Sequence, residues 1–367
     1  MKKFLCVLCM ALSLVACDKN DNPQNKPVVK IAALWPMSGD GAFLGDTAKK
    51  IADWFVADFE RNNPNAKYKY RVVFEDVQFS ATKAATAGQK VANADHVDAM
   101  MAIQSSVAFV LNPIAEKNKI IQLSFAADPR AATGEYNFRI STGLKNIVDM
   151  TFAEMKKHKM KKFSTVVLTS DAGSVAVVDE FKKLAKSNKD VKFVSSYAIN
   201  PGDKNFDTML QKIKMEKPDI LVIEALTPES DLFLRAMKRN GVDIPVTGIW
   251  TLGSLKDKTL AEGMWYVDDA GATDDFMRDF ERVIGGTETN YGEYVYTILA
   301  AFVNAWENAD AESGQKPTPE NVVKSMLENT GGYKTALGTL EIQKDGSISL
   351  PGVMKQIKNG EQVLLAK

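Results

Sequence analysis

The sequence predicts an α/β fold of two lobes, each a doubly wound parallel sheet. Three observations predict it. Short β-rich runs alternate with amphipathic runs of about 10–15 residues, the pattern of βαβ units. The alternation restarts after Gly143. A length of 367 residues suits two domains or three. Hydrophobic residues at 45% and charged residues at 25% exclude a disordered chain. The 46 basic and 46 acidic side chains cancel, which removes the electrostatic footprint of a nucleic-acid binder. Two histidines, His96 and His158, and three cysteines do not build a rich zinc site.

In chain order, strands are expected at 28–35, 71–77, 99–103 and 120–124, with helices at 43–62, 81–94 and 107–117 between them. In 43–62, Ile51, Trp54, Phe55 and Phe59 put the large apolar groups mostly on one face. After Gly143, helices at 147–158, 174–187, 206–214 and 229–240 alternate with strands at 164–169, 191–198, 219–225 and 245–249. Gly241 ends the last of these helices as a left-handed C′ residue. Helices at 274–284, 292–309 and 319–328 precede a β-rich tail from 337 to 365. Parallel sheets bind ligands beyond the carboxyl ends of their strands. Any site should therefore draw on the loops 36–44, 104–106, 125–128, 170–173, 226–228 and 250–253.

The chain opens with an export signal. Lys2 and Lys3 precede an apolar run from Phe4 to Ala16, too short to span a bilayer. Leu14-Val15-Ala16-Cys17 resembles the lipobox of bacterial lipoproteins, in which the cysteine is lipidated and becomes the mature N-terminus. Ordinary cleavage leaving a free thiol is the plainer reading; the match at all four positions and the polar tether that follows favour the lipobox. Residues 1–16 are then a signal peptide, and 17–27 the lipidated Cys17 and a flexible tether. The mature chain keeps Cys17 alone, so no intramolecular disulfide forms, and losing Lys2 and Lys3 leaves a net charge of −2. In enterobacterial lipoproteins an aspartate like Asp18 implies retention at the inner membrane, which places the protein on its periplasmic face.

Most chemistry-bearing patterns have a plainer structural reading. Gly39-Asp40-Gly41 and Gly45 sit where a dinucleotide loop would, but the third glycine is one residue late. Glu75 and Asp76 also fall too far on to hold a ribose, so no cofactor is expected. Ser80-x-x-Lys83 matches the nucleophile motif of serine β-lactamases, and Lys334-Thr335-Ala336 approaches its third element. Ser80 reads equally as a helix N-cap, so an exported serine hydrolase is the minor alternative. His158 lies in a basic helix end, and His96 in a turn. Ser105 and Ser106 stand between a strand end and a helix start, where free N–H groups and the dipole bind carboxylates; a plain N-cap is the alternative.

Taken in order, several stretches resemble the substrate-binding proteins of branched-chain amino-acid ABC transporters, the type I periplasmic binding protein fold. They are Pro36-Met37-Ser38-Gly39, Leu44-Gly45-Asp46, Ile114-Ala115-Glu116-Lys117 through Ser124, and Phe138-Arg139-Ile140-Ser141. Further on come Asp203 to Asp207, Lys217-Pro218-Asp219-Ile220, and Ala236 to Gly241 before Pro245. The resemblance implies no enzyme but a receptor whose two lobes, joined by a three-crossing hinge, close on a small molecule and dock on ABC permease subunits. It places lobe one at 28–143 plus 272–336 and lobe two at 144–271 plus 337–367. A sensory receptor of the same fold, for an amide or aromatic acid, is the second reading.

The resemblance also implies ligand-binding positions: Leu44, Gln104, Ser105, Ser106, Ala126, Ala127, Asp128, Ala172, Leu226 and Trp250. In the family, hydroxyls and amides at Ser105-Ser106 hold the ligand carboxylate. The ammonium meets the loop matching Ala126-Ala127-Asp128 and a glutamate from lobe two. Here Asp128 stands at the hydroxyl position, Trp250 at the glutamate, Ala172 at a tyrosine, and Leu44 and Leu226 at other aromatic positions. These departures put a plain leucine or valine ligand in doubt. They suggest a counter-charge moved to Asp128, with an Asp128 cap before Pro129 as the alternative.

Overall fold

The computed structural model describes residues 26–329 and 331–365. The expected signal peptide, Cys17 and most of the expected tether lie outside the described residues.

The first lobe begins with β1 (Val28–Trp35), α1 (Ala42–Asn62), β2 (Lys69–Asp76), α2 (Ala81–Asn93) and β3 (Ala99–Ile103). It continues with α3 (Ser105–Asn118), β4 (Ile121–Phe125) and β5 (Asn137–Thr142). Next come α4 (Leu144–Lys157), β6 (Lys162–Leu168), α5 (Ala172–Ser187), β7 (Lys192–Ile199) and α6 (Asp207–Glu216). They are followed by β8 (Ile220–Glu224), α7 (Glu229–Arg239), β9 (Val246–Thr247) and β10 (Trp265–Asp269). The chain then forms α8 (Asp274–Val283), α9 (Gly292–Asn308), α10 (Pro319–Glu328), β11 (Tyr333–Thr335) and β12 (Gly338–Leu340). The last strands are β13 (Ser347–Leu350), β14 (Gly352–Lys358) and β15 (Glu361–Leu364).

Six strands form the first sheet in the order β13-β5-β4-β3-β1-β2, and its pairings are parallel. Four form the second, β7-β6-β8-β9, also parallel. Residue alternation along β1 explains why both faces are covered. Val29, Ile31, Ala33 and Trp35 pack with Ile51 of α1 and Ile298 and Phe302 of α9. Ala32 and Leu34 pack on the other face with Val91 of α2 and Leu111 of α3. A strand buried on both sides reads as the continuous apolar run seen in the sequence. The second sheet repeats the arrangement: Leu221 and Ile223 meet Phe206, Leu210 and Phe233, while Ile220 and Val222 face Phe152 and Phe181.

The tail departs from expectation. Lobe two was expected to take 337–367, but β13 adds parallel to β5 in the first sheet. Leu337, Leu340 and Ile342 lie in the first lobe's core. Only from β14 does the chain join β10 and β15 in an antiparallel sheet, which Ile249 ties to Val267. The physical reason is a parallel edge at β5 that β13 covers. Gly241 has the expected left-handed φ of +59° after α7.

Candidate ligand-binding cleft

Strand order reverses between β1 and β3 in the first sheet and between β6 and β8 in the second. Such switch points leave a crevice outside the carboxyl ends of the strands. The two crevices meet in one cleft. From the first lobe, Leu44, Gln104, Ser105, Phe125, Ala126, Ala127 and Tyr291 line it. From the second come Asp171, Gly173, Glu224, Leu226 and Trp250.

The first lobe's polar end is the start of α3. Gln104 is its N-cap, at φ +83° and without a side-chain capping bond, and the buried Gln104 Oε1 has no hydrogen-bond partner. Ser105 is buried, and its Oγ accepts the Asp128 N–H at 3.1 Å. Both serines therefore lie inside the helix, which starts two residues earlier than expected. The second lobe answers with α5. Asp171 caps it, its Oδ2 accepting the Ser174 N–H at 2.7 Å, while the buried Oδ1 has no partner. Gly173 suits the close approach there, because a Cβ would lie 3.0 Å from Ser105 Oγ across the cleft, a tight contact. Trp250 and Tyr291 hold left-handed φ values of +58° and +62°. Such backbone costs a bulky residue about 1–3 kcal/mol and concentrates at functional sites.

Glu224 ends β8 with 3% of its surface exposed, and its Oε1 accepts the Ile249 N–H at 2.8 Å. Burial pushes its carboxyl well above the usual range; the Ile249 N–H opposes this and nearby Asp171 adds to it. No lysine, arginine or histidine lines the cleft among the described residues. The walls are apolar and aromatic, with Phe125 edge-on to Trp250 at 6.2 Å.

A family model described as periplasmic binding protein matches residues 28–362. The chain belongs to the periplasmic binding protein family. It is 24% identical over 359 residues to a Leu/Ile/Val-binding protein of Citrobacter freundii, covering 94% of this chain and 93% of that one. Its fold matches the leucine binding protein LivK of Thermotoga maritima with a TM-score of 0.78 at 19% identity, covering 92% and 98% of the two chains. A solute binding protein of an ABC transporter from R. palustris, in complex with benzoate, also gives 0.78 at 19% identity, covering 92% and 96%.

In this periplasmic binding protein, Leu44, Gln104, Ser105, Ala126, Ala127, Leu226 and Trp250 line the cleft, and three other expected positions do not. Asp128 is the correction with most consequence. It is 2% exposed, its Oδ1 accepts the Arg130 N–H at 2.9 Å, and its carboxylate pairs with the Arg130 guanidinium. It caps the turn at Pro129, and its charge is already answered. Ser106 and Ala172 are spent on each other: Ser106 Oγ accepts the Ala172 N–H at 2.9 Å.

The sequence reading missed Glu224, Phe79 and Tyr291, and included Asp171 only as part of the loop 170–173. For Glu224 a signal existed. It is an acid closing the apolar run Ile220-Leu221-Val222-Ile223, at the carboxyl end of a parallel strand. The Ser80 and Lys83 side chains are not paired with each other. Ser80 Oγ caps α2, and Lys83 Nζ bonds to Gln78.

Proposed function

We propose that this chain is the extracytoplasmic solute-binding component of an ABC importer. It captures an amino acid or a related small amphipathic molecule between its two closing lobes. The observation that supports this most is the cleft's composition: the start of α3 from one lobe faces the start of α5 and Glu224 from the other, across apolar walls. A ligand carboxylate fits the α3 N-terminus with the Ser105 hydroxyl, since unpaired N–H groups and the helix dipole favour an anion there. The apolar walls suit an aliphatic or aromatic body. The relatives' names support the same range, from leucine to benzoate. Permease subunits are the expected protein partners, and the lipid at Cys17 the expected anchor.

Thermal-shift measurements with leucine, isoleucine, valine and benzoate test the reading. A ligand at about 100 times its dissociation constant adds ~2.7 kcal/mol of stability. No shift from any of the four, in protein freed of copurified ligand, sinks it. Labelled palmitate incorporated into wild type and absent from Cys17→Ala supports the anchor; unlabelled wild type rejects it.

A further inference from the structure

Glu224 has a carboxyl group that no cationic side chain of the cleft answers among the described residues. Asp171 shares the cleft, but its carboxylate sits on the N-terminus of its own helix and accepts two hydrogen bonds from Ser174. Glu224 accepts one hydrogen bond, from the Ile249 N–H, among the described residues. Its titratable company in the cleft is Asp171 and Tyr291. Behind Tyr291, at the chain crossings between the lobes, stand Asp268, Asp269 and Glu293, with Lys355 paired to Asp268. The charged group acting on the Glu224 carboxyl is thus an acid, Asp171, while the cations on the elements behind the cleft are engaged elsewhere: Lys355 pairs with Asp268, and the Arg139 guanidinium donates to the Ala126 carbonyl.

We infer that Glu224 gates lobe closure by charge: ionised, it opposes closing of the empty cleft, and either a proton or the cationic group of a ligand licenses closure. The inference rests on the proposed reading of the cleft as a solute site. With the lobes apart, water solvates the carboxylate and its affinity for protons is ordinary. Closing strips that water, which disfavours the charged form, in keeping with the upward push that burial gives this carboxyl. A ligand ammonium restores the lost solvation with a charge-assisted hydrogen bond. A ligand bearing only a carboxylate brings a second negative charge and must wait for Glu224 to take up a proton. Two ligand classes that fit the same apolar walls are thus told apart by proton linkage.

Small-angle scattering of the empty full chain at pH 7 and pH 5 tests the gate without any ligand. Wild type is expected to become more compact at pH 5, and Glu224→Gln to be compact at both. Glu293 and Asp268 also titrate toward neutrality, so the variant is the control for them. A radius that does not change with pH in wild type, and is the same in the variant, overturns the gate. Calorimetry with L-leucine and benzoate, in two buffers of different ionisation enthalpy, reads the linkage. Leucine should bind at pH 7 with no net proton. Benzoate should take up one, its affinity rising about tenfold per unit of falling pH, and lose that dependence in Glu224→Gln. Benzoate bound by wild type at pH 7 without proton uptake overturns the gate and leaves the solute reading standing. If neither probe binds, the solute reading falls, and the radius alone decides the gate.

Discussion

The Ser106 hydroxyl, in the first turn of α3, accepts a 2.9 Å hydrogen bond from the Ala172 N–H, in the first turn of α5. The same Oγ donates to the Ser170 carbonyl at 3.2 Å. One side chain of the first lobe thus satisfies one of the free N–H groups at a helix start in the second. That contact exists only when the lobes are together, so it belongs to closure and not to ligand chemistry.

Ser106→Ala should therefore weaken every ligand by one common factor. A net hydrogen bond of about 0.5–1.5 kcal/mol corresponds to roughly 2- to 13-fold. Calorimetry with two ligands of different size checks it. Unequal losses would show that Ser106 touches the ligand after all.

Asp128→Ala should cost stability and spare binding. The carboxylate caps the turn at Pro129 and pairs with Arg130, outside the cleft. Loss of such a cap typically costs ~1 kcal/mol, visible as a lower urea midpoint with an unchanged slope. A tenfold or greater loss of ligand affinity would return Asp128 to the site.

The sheets were legible because their strands are buried on both faces and their helices on one, which writes two clear periods into the chain. Three strands escaped, the short Tyr333–Thr335 among them, and the other two did so for physical reasons. Asn137–Thr142 carries Asn, Arg, Ser and Thr among its six residues, although it is buried between β4 and β13 in the first sheet. Trp265–Asp269 ends in two acids that belong to the crossing between them. At the site, position along the fold was readable and side-chain partnership was not. Glu224 ends a strand and Asp128 lies in the loop just beyond one, so both are acids at the carboxyl side of a strand in sequence. Only the tertiary structure shows that one has an arginine and the other has none.

Trp250 walls the cleft edge-on to Phe125, and its buried indole Nε1 has no acceptor. Trp250→Ala should weaken binding by more for ligands with larger apolar bodies. The aromatic contact alone is worth ~0.5–1.5 kcal/mol beyond the area lost, so closure should weaken too. Titrations with valine, leucine and phenylalanine would rank the effect. An equal loss for all three would confine Trp250 to the lobe contact.

Glu293 makes stability depend on pH. It lies in the first turn of α9, behind Tyr291, and its buried Oε2 has no partner. Burial pushes its carboxyl up to about 7, with Thr289 opposing and Asp269 and Asp268 adding to the rise. The unfolded chain holds this proton only below the ordinary glutamate value of about 4.3. Between these two values the folded state binds more protons than the unfolded one. Stability is therefore fully present below about pH 4.3 and is lost as pH rises toward 7, with a slope of up to about 1.4 kcal/mol per pH unit from this group. Carboxylates held low in the fold, such as Asp190 and Asp257, work in the opposite sense and in a more acidic range. Glu293→Gln keeps the side chain's shape and removes its titration. Its unfolding free energy should vary less than wild type between pH 5 and 7 and exceed it at pH 8. Denaturant titrations of both proteins at pH 5, 6, 7 and 8 read the two slopes directly. Parallel curves would mean that Glu293 meets water or a cation in solution, and that the acids between the lobes titrate without it.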